Sequence, residues 1–175
     1  EDAYAQAALS DSFKQESSAN GLVSIEAENY RGNVAPTGGT PKWDRVTTAG
    51  QSGAGSMKAN PNSGVNNDTG YTIKSPRLDY KIKFVKTGTH YIWIRGIGAS
   101  GNDDSMHAGF NGQAVTTADR ISSFTTSWTW SRTTMDAGAT ATVNVATAGE
   151  HILNLWMRED GMVIDKIVVT SSSAY

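Results

Sequence analysis

The run Leu78-Asp79-Tyr80-Lys81-Ile82-Lys83-Phe84 alternates apolar and polar residues without a break. Successive side chains leave opposite faces of a strand, so this period of two specifies a half-buried β-strand with one face in a core and the other toward water. Val23, Ile25 and Ala27 alternate in the same way with Ser24, Glu26 and Glu28, and further short runs predict strands at 91–95, 106–110, 113–116, 128–134, 140–145, 152–157 and 162–169. Asn111-Gly112 separates two of them and suits a two-residue hairpin turn, whose central positions both need positive φ. Thr87-Gly88-Thr89 and Ala148-Gly149-Glu150 supply further turn chemistry. About nine or ten short strands with turn signals at regular intervals predict an all-β fold, an antiparallel β-sandwich or jelly roll.

At 175 residues the chain is long enough for one real core and short for two domains with a linker. Residues 1–20 are polar and mixed, and 171–175 begin with three serines, so we read 1–20 as a linker or N-terminal extension, 21–170 as the sandwich and 171–175 as the start of a C-terminal linker. That organisation is expected of one module of a larger, modular chain. With 15 Lys and Arg against 17 Asp and Glu, a net charge of -2 and no basic block, neither nucleic acid nor a membrane is an expected partner. No cysteine is present, which excludes disulfides, thiolate nucleophiles and zinc-thiolate sites.

Two groups of residues carry candidate chemistry. Glu26 and Glu28, two apart on a strand, leave the same face, and Asp165 lies inside the apolar run 162–169. Three converging carboxylates suit a hard cation such as calcium; the alternative is that the glutamates face water and Asp165 pairs with Lys166 or an arginine. Five tryptophans form the second group. Trp93 and Trp156 lie within regular strands and read as core, whereas Trp43 lies in a Pro41-Lys42-Trp43-Asp44 loop and reads as exposed. Trp128 and Trp130 project to one side of a strand.

The opening strand Val23-Ser24-Ile25-Glu26-Ala27-Glu28-Asn29-Tyr30 and the closing strand Ile164-Asp165-Lys166-Ile167-Val168-Val169 resemble those of carbohydrate-binding module families six and thirty-five. Tyr91 to Gly96, Ser127 to Trp130 and His151 to Gly161 fall between them in the family's order. The resemblance implies a galactose-binding-like β-sandwich, appended to bacterial polysaccharide-degrading enzymes. It also implies a structural calcium held by Glu26, Glu28 and Asp165, with carbonyls from the Gly-rich loop 50–56 as further candidates. Trp128 is then the ring that stacks on a sugar and Trp130 part of the fold. Trp43 and Tyr30 are further aromatic candidates, and Asn102, Asp103, Asp104, His107, Arg120, Arg158 and Glu159 are the polar ones, since they lie where the family's ligand loops fall. Family six commonly places a ligand-binding Asn just ahead of the closing aspartate; here Met162-Val163-Ile164 fill that space, which shifts the expected contact to Arg158 or Glu159.

No convincing catalytic pair stands out. Gly50-Gln51-Ser52-Gly53-Ala54 misses the nucleophile-elbow pattern at its last position, and His90, His107 and His151 lack metal-ligand spacing. The expected function is therefore non-catalytic: a secreted or cell-surface bacterial module, expected to be monomeric, that binds a polysaccharide or oligosaccharide for a catalytic domain of the same parent chain. Arg95, Arg120, Arg132 and Arg158 suit an acidic or sulfated polymer, either a uronic-acid polymer such as alginate or pectin or a marine galactan such as porphyran or carrageenan, with neutral agarose equally open. The alternative is a protein-contacting adhesion or spacer sandwich with no sugar platform.

Overall fold

The computed structural model describes residues 11–175, which fold into a sandwich of two sheets. In chain order the strands are β1 (Phe13–Lys14), β2 (Val23–Glu26), β3 (Gly32–Val34), β4 (Lys42–Val46), β5 (Ser56–Asn60), β6 (Arg77–Phe84), β7 (Gly88–Ile97), β8 (Met106–Phe110), β9 (Gln113–Ala114), β10 (Thr129–Ser131), β11 (Thr142–Val145), β12 (Gly149–Met157) and β13 (Val163–Thr170). One short helix, α1 (Tyr71–Lys74), precedes β6.

The first sheet runs β1-β6-β12-β8-β9, with β3 also on β6; the second runs β10-β7-β13-β5-β4, with β11 also on β7 and β2 on β13. The alternation in β6 does what its period predicts: Leu78, Tyr80, Ile82 and Phe84 are buried while the residues between them face outward. They meet Ile25, Met57, Ile92, Ile94, Ile167 and Val169 from the second sheet in one core, each such side chain contributing roughly 1.5–3 kcal/mol by burial. Tyr80 donates its hydroxyl to Ala27 O at 2.7 Å, so the one polar atom in that row is satisfied. The β8–β9 turn has Asn111 and Gly112 at φ 52° and 77°, the conformation that Asn-Gly sequences favour.

Three expectations change. Of the two readings of 1–20, the segment 11–20 takes that of an N-terminal extension packed on the sandwich and not that of a linker. β1 pairs in parallel with β6, and Gln15 is buried, accepting from Val85 N and Lys86 N at 2.9 Å and donating to Gly21 O at 2.9 Å. Residues 1–10 of that expected linker lie outside the described residues. Residues 171–175 also bond back: Ser171 N donates to Asn20 O at 3.0 Å. Third, Pro41 to Asp44 enters the edge strand β4, whose Trp43 points into the core.

Candidate functional site

The ends of β2, β7 and β12 and the starts of β6, β8, β10 and β13 meet at one end of the sandwich. The turn from β12 to β13 carries Arg158, Glu159 and Asp160 into this end. Arg158 Nε donates to Asp68 Oδ1, and its Nη1 to Ser105 Oγ and Glu159 Oε1, each at 2.8 Å. Glu159 accepts from Ser105 Oγ at 2.6 Å, Asp104 N at 3.1 Å and Asn66 Nδ2 at 3.1 Å. Arg158 and Glu159 are thereby buried cross-braces between three loops, with Asp68 as the exposed end of the chain. The hydrogen bond from Arg158 holds the Asp68 carboxyl below its usual range, while burial holds that of Asp104 above it.

His107 belongs to the same network but faces inward. It is fully buried and stacked on Tyr71 of α1, with ring centroids 3.7 Å apart. Its Nε2 donates to Asn67 O at 3.0 Å and its Nδ1 accepts from Arg120 N at 3.1 Å, the arrangement of a neutral imidazole. Burial pushes its pKa down to about 4. Arg120 sits at φ 49°, a left-handed conformation uncommon for a side-chain-bearing residue, and its guanidinium pairs with Asp136. Asp119, beside it, has Oδ1 buried without a hydrogen-bond donor, 4.0 Å from Arg120 Nε, and burial raises its pKa. The structure thus brings Asp104, His107, Arg120, Arg158 and Glu159 together and adds Asp119, the neighbour of Arg120, with Asp68, Tyr71 and Asp136, whose distance from those residues in sequence gave no spacing signal. Asp103 is buried and accepts from Ser100 Oγ at 2.7 Å, so it shapes the 98–105 loop, and Asn102 is exposed with the rest of the loop tip, 99–101.

The aromatic candidates separate. Trp43 is 2 % exposed and donates Nε1 to Pro76 O at 3.1 Å, so it cannot be a surface wall. Tyr30 is half-buried against the core. Trp128 is half-buried at the loop end, with Nε1 donating to Ala49 O at 2.8 Å and the Arg95 guanidinium 4.6 Å from its ring centroid. Trp156 is buried as expected, but Trp93 and Trp130 are not core. In β7 the inward row is His90, Ile92, Ile94 and Gly96, which turns Tyr91, Trp93 and Arg95 outward. Trp130, opposite Arg95, is 42 % exposed. Arg95 in the same alternate row as Trp93 was the sequence signal for this outward face.

The three predicted metal carboxylates converge on the loop 50–54. Ser52 N donates to Asp165 Oδ1 at 2.8 Å, Ala54 N to Glu28 Oε1 at 2.6 Å, and Ser52 Oγ lies 2.6 Å from Glu26 Oε2 and 3.0 Å from Asp165 Oδ2. A hydroxyl has one proton, so Ser52 satisfies only one of those oxygens at a time. Two cations complete the cluster: Lys166 Nζ is 2.6 Å from Glu26 Oε1, and Arg95 pairs with Asp165. The ion-pair alternative is therefore realised for Asp165 through Arg95, and among the described residues no three His, Cys, Asp or Glu side chains stand as a ready metal cage. One feature fits a cation nonetheless. Glu28 Oε2 is buried with no donor, and a Cβ on Gly53 would collide with Glu28 Oε1, so this loop must bring bare backbone against the carboxylates.

The model of the glycosyl hydrolase family 115 C-terminal domain matches residues 17–174. A protein designated P23 from Formosa agariphila is 33% identical over 106 residues, 56% of this chain and 26% of that protein, so the chain spans about a quarter of the curated relative it matches. Among solved structures, the C-terminal CBM6 of LamC, a marine laminarinase from Zobellia galactanivorans, is similar at 19% identity, 86% coverage of this chain and 99% of that one, with a TM-score of 0.54. A family 35 carbohydrate binding module from Clostridium thermocellum is similar at 16% identity, 86% and 98% coverage and a TM-score of 0.57. The CBM35 from Paenibacillus barcinonensis is similar at 22% identity, 86% and 99% coverage and a TM-score of 0.54. The fold is thus that of the CBM6 and CBM35 modules, as their resemblance in sequence implied.

Proposed function

Because the chain belongs to the glycosyl hydrolase family 115 C-terminal domain family, we propose that it is a non-catalytic carbohydrate-binding module that keeps a polysaccharide-degrading enzyme on its substrate outside a bacterial cell. The observation that carries this reading is the loop-end network. Asp68, Asp104, Arg120 and Asp136, drawn from separate loops, are held in place by ion pairs and hydrogen bonds yet remain partly exposed. Fixed donors and acceptors of both kinds are what vicinal sugar hydroxyls need, since each hydroxyl both donates and accepts. Holding them in place beforehand lowers the ordering cost of binding. Trp128, at the same end, adds an apolar ring beside Arg95 for the flat face of a pyranose.

Calcium belongs to the same reading. Glu26, Glu28 and Asp165, with carbonyls of the 50–54 loop, are the oxygen donors that would hold it. The unpartnered Glu28 Oε2 and the bare backbone at Gly53 support that assignment. Bound there, the ion would offset the unpaired Glu28 carboxylate and tie the loop beneath Trp128 to β2 and β13.

Native affinity electrophoresis tests the function, with agarose, porphyran, carrageenan, alginate, pectin, xylan and β-glucan cast in the gels. We expect retardation by at least one polymer, weakened about tenfold or more by Arg120→Ala or Trp128→Ala. Retardation by none would remove the glycan reading and leave the protein-contacting sandwich in its place.

A further inference from the structure

We propose that the outer face of the seven-stranded sheet carries a second binding site, formed by Trp93, Trp130 and Arg132, for the anionic sugar units of an acidic glycan. The ligand class rests on the glycan-binding reading above; the site itself does not depend on the loop end.

Strand register builds it. Thr129, Trp130 and Ser131 pair with Gly96, Arg95 and Ile94, so Arg132 comes next, level with Trp93. On the other side of β7, Val168 of β13 pairs with Trp93. Trp93, Trp130, Val168 and Tyr175 enclose an open cavity of about 340 Å³, at the lower end of the roughly 300–1,000 Å³ typical of small-molecule sites. Trp130 and Tyr175 are 42% and 48% exposed, so two aromatic walls stand in solvent over an apolar floor. Water on such rings is released when the apolar face of a pyranose lies against them, which is the physical basis of sugar stacking.

Charge selects among sugars. Arg95 is paired with Asp165, Arg120 with Asp136, and Arg158 with Asp68 and Glu159. Arg132 has no carboxylate partner among the described residues. It donates one hydrogen bond to Ser173 O at 3.2 Å, and its guanidinium lies 4.6 Å from the Trp93 ring centroid and 5.7 Å from that of Tyr91. A guanidinium stacked on an aromatic face keeps in-plane N–H donors free at its rim, the geometry that takes a carboxylate or sulfate. An unneutralised cation beside an aromatic cavity therefore favours a uronate or a sulfated sugar over a neutral one.

The test follows the five indole N–H resonances of the ¹⁵N-labelled domain, assigned with Trp→Phe variants, during titration with glucuronic acid, galactose 6-sulfate and methyl glucoside. We expect the Trp93 and Trp130 resonances to shift with one or both anionic sugars and not with methyl glucoside. Movement with glucuronic acid alone assigns a carboxylated polymer, and movement with galactose 6-sulfate alone a sulfated one. Read from the remaining Trp93 or Trp130 resonance, Kd should rise about tenfold in Trp130→Ala and in Arg132→Gln, and less in Arg132→Lys. Thermal melts of the variants should match the wild type, since both side chains reach the surface. Three results overturn the site: shifts confined to Trp128, no shift at Trp93 or Trp130 in a domain that a gel polymer still retards, or Trp93 and Trp130 shifts with unchanged Kd in Arg132→Gln. The first two leave the glycan reading standing. Silence in both experiments removes both, and shifts at Trp93 and Trp130 only on adding a separately purified domain of the parent enzyme would make this face a protein interface instead.

Discussion

His107 shows how one buried side chain converts packing into pH dependence. Its folded pKa of about 4 lies below the ordinary value of 6.5 because burial excludes the charged form, and because its Nδ1 already accepts from Arg120 N. Between those values the unfolded chain binds a proton that the folded one does not. Stability should therefore fall as pH falls from about 6.5 to about 4, by at most ~3 kcal/mol, and level off below that. His90, also pushed down by burial, acts in the same direction, whereas Asp104 and Asp119, raised by burial, act with the opposite sign. Urea unfolding at pH 7 and pH 4.5 isolates the His107 part: the difference between the two should shrink in His107→Gln, whose amide can still donate to Asn67 O. An equal difference in both proteins would mean that the imidazole is protonated where it lies. Candidate residues of this kind were legible as types, polar groups in the right loops. Their fates were not, because whether an acid such as Glu159 faces a ligand or braces a loop depends on Ser105, Asp104 and Asn66, which sequence does not place beside it.

Among the elements, β1 and β13 are the instructive ones. The two residues of β1 are held by Gln15, whose amide serves Val85 N, Lys86 N, Gly21 O and His90 Nε2 at 2.8–2.9 Å. Gln15→Ala leaves those groups without their partner inside the fold and should cost roughly 1–3 kcal/mol in a denaturant melt. A loss within a few tenths of a kcal/mol would mean that water takes over these bonds and that 11–20 is dispensable after all. A polar composition read as linker misled here because a single buried amide, not an apolar stripe, ties the segment down. In β13 the register to β7 shifts between Ile164 and Lys166, a bulge at Asp165. Ile164 and Ile167 both face the core, three residues apart, and the extra residue lets consecutive Asp165 and Lys166 both stay out of it. Two charged residues between isoleucines were the visible trace of that bulge.

For the molecule as a whole, the carboxylate cluster links β2 and β13 to the 50–54 loop, so what happens there should register in global stability. Millimolar calcium should raise Tm by several degrees over the protein in chelator, as expected for a ligand that binds only the folded state, and Glu28→Gln should reduce that gain. A melt indifferent to both would mean that Lys166 and Arg95 alone balance Glu26 and Asp165. The all-β class, the strands β6, β7, β8, β12 and β13, the Asn111-Gly112 turn and the acidic character of the two end strands were all determined by the sequence, because alternation and turn chemistry are local and repeat with the period of the backbone itself. Which face of β7 meets the core, where Trp43 goes, how Arg120 finds Asp136, and the gathering of Trp93, Trp130 and Arg132 on one outer surface were decided only by the tertiary structure. The strand residues among them depend on register between strands distant in the chain, where a shift of one residue would turn their side chains to the opposite face, and Arg120 and Asp136 lie in turns that the Ile121–Thr134 bridge brings together.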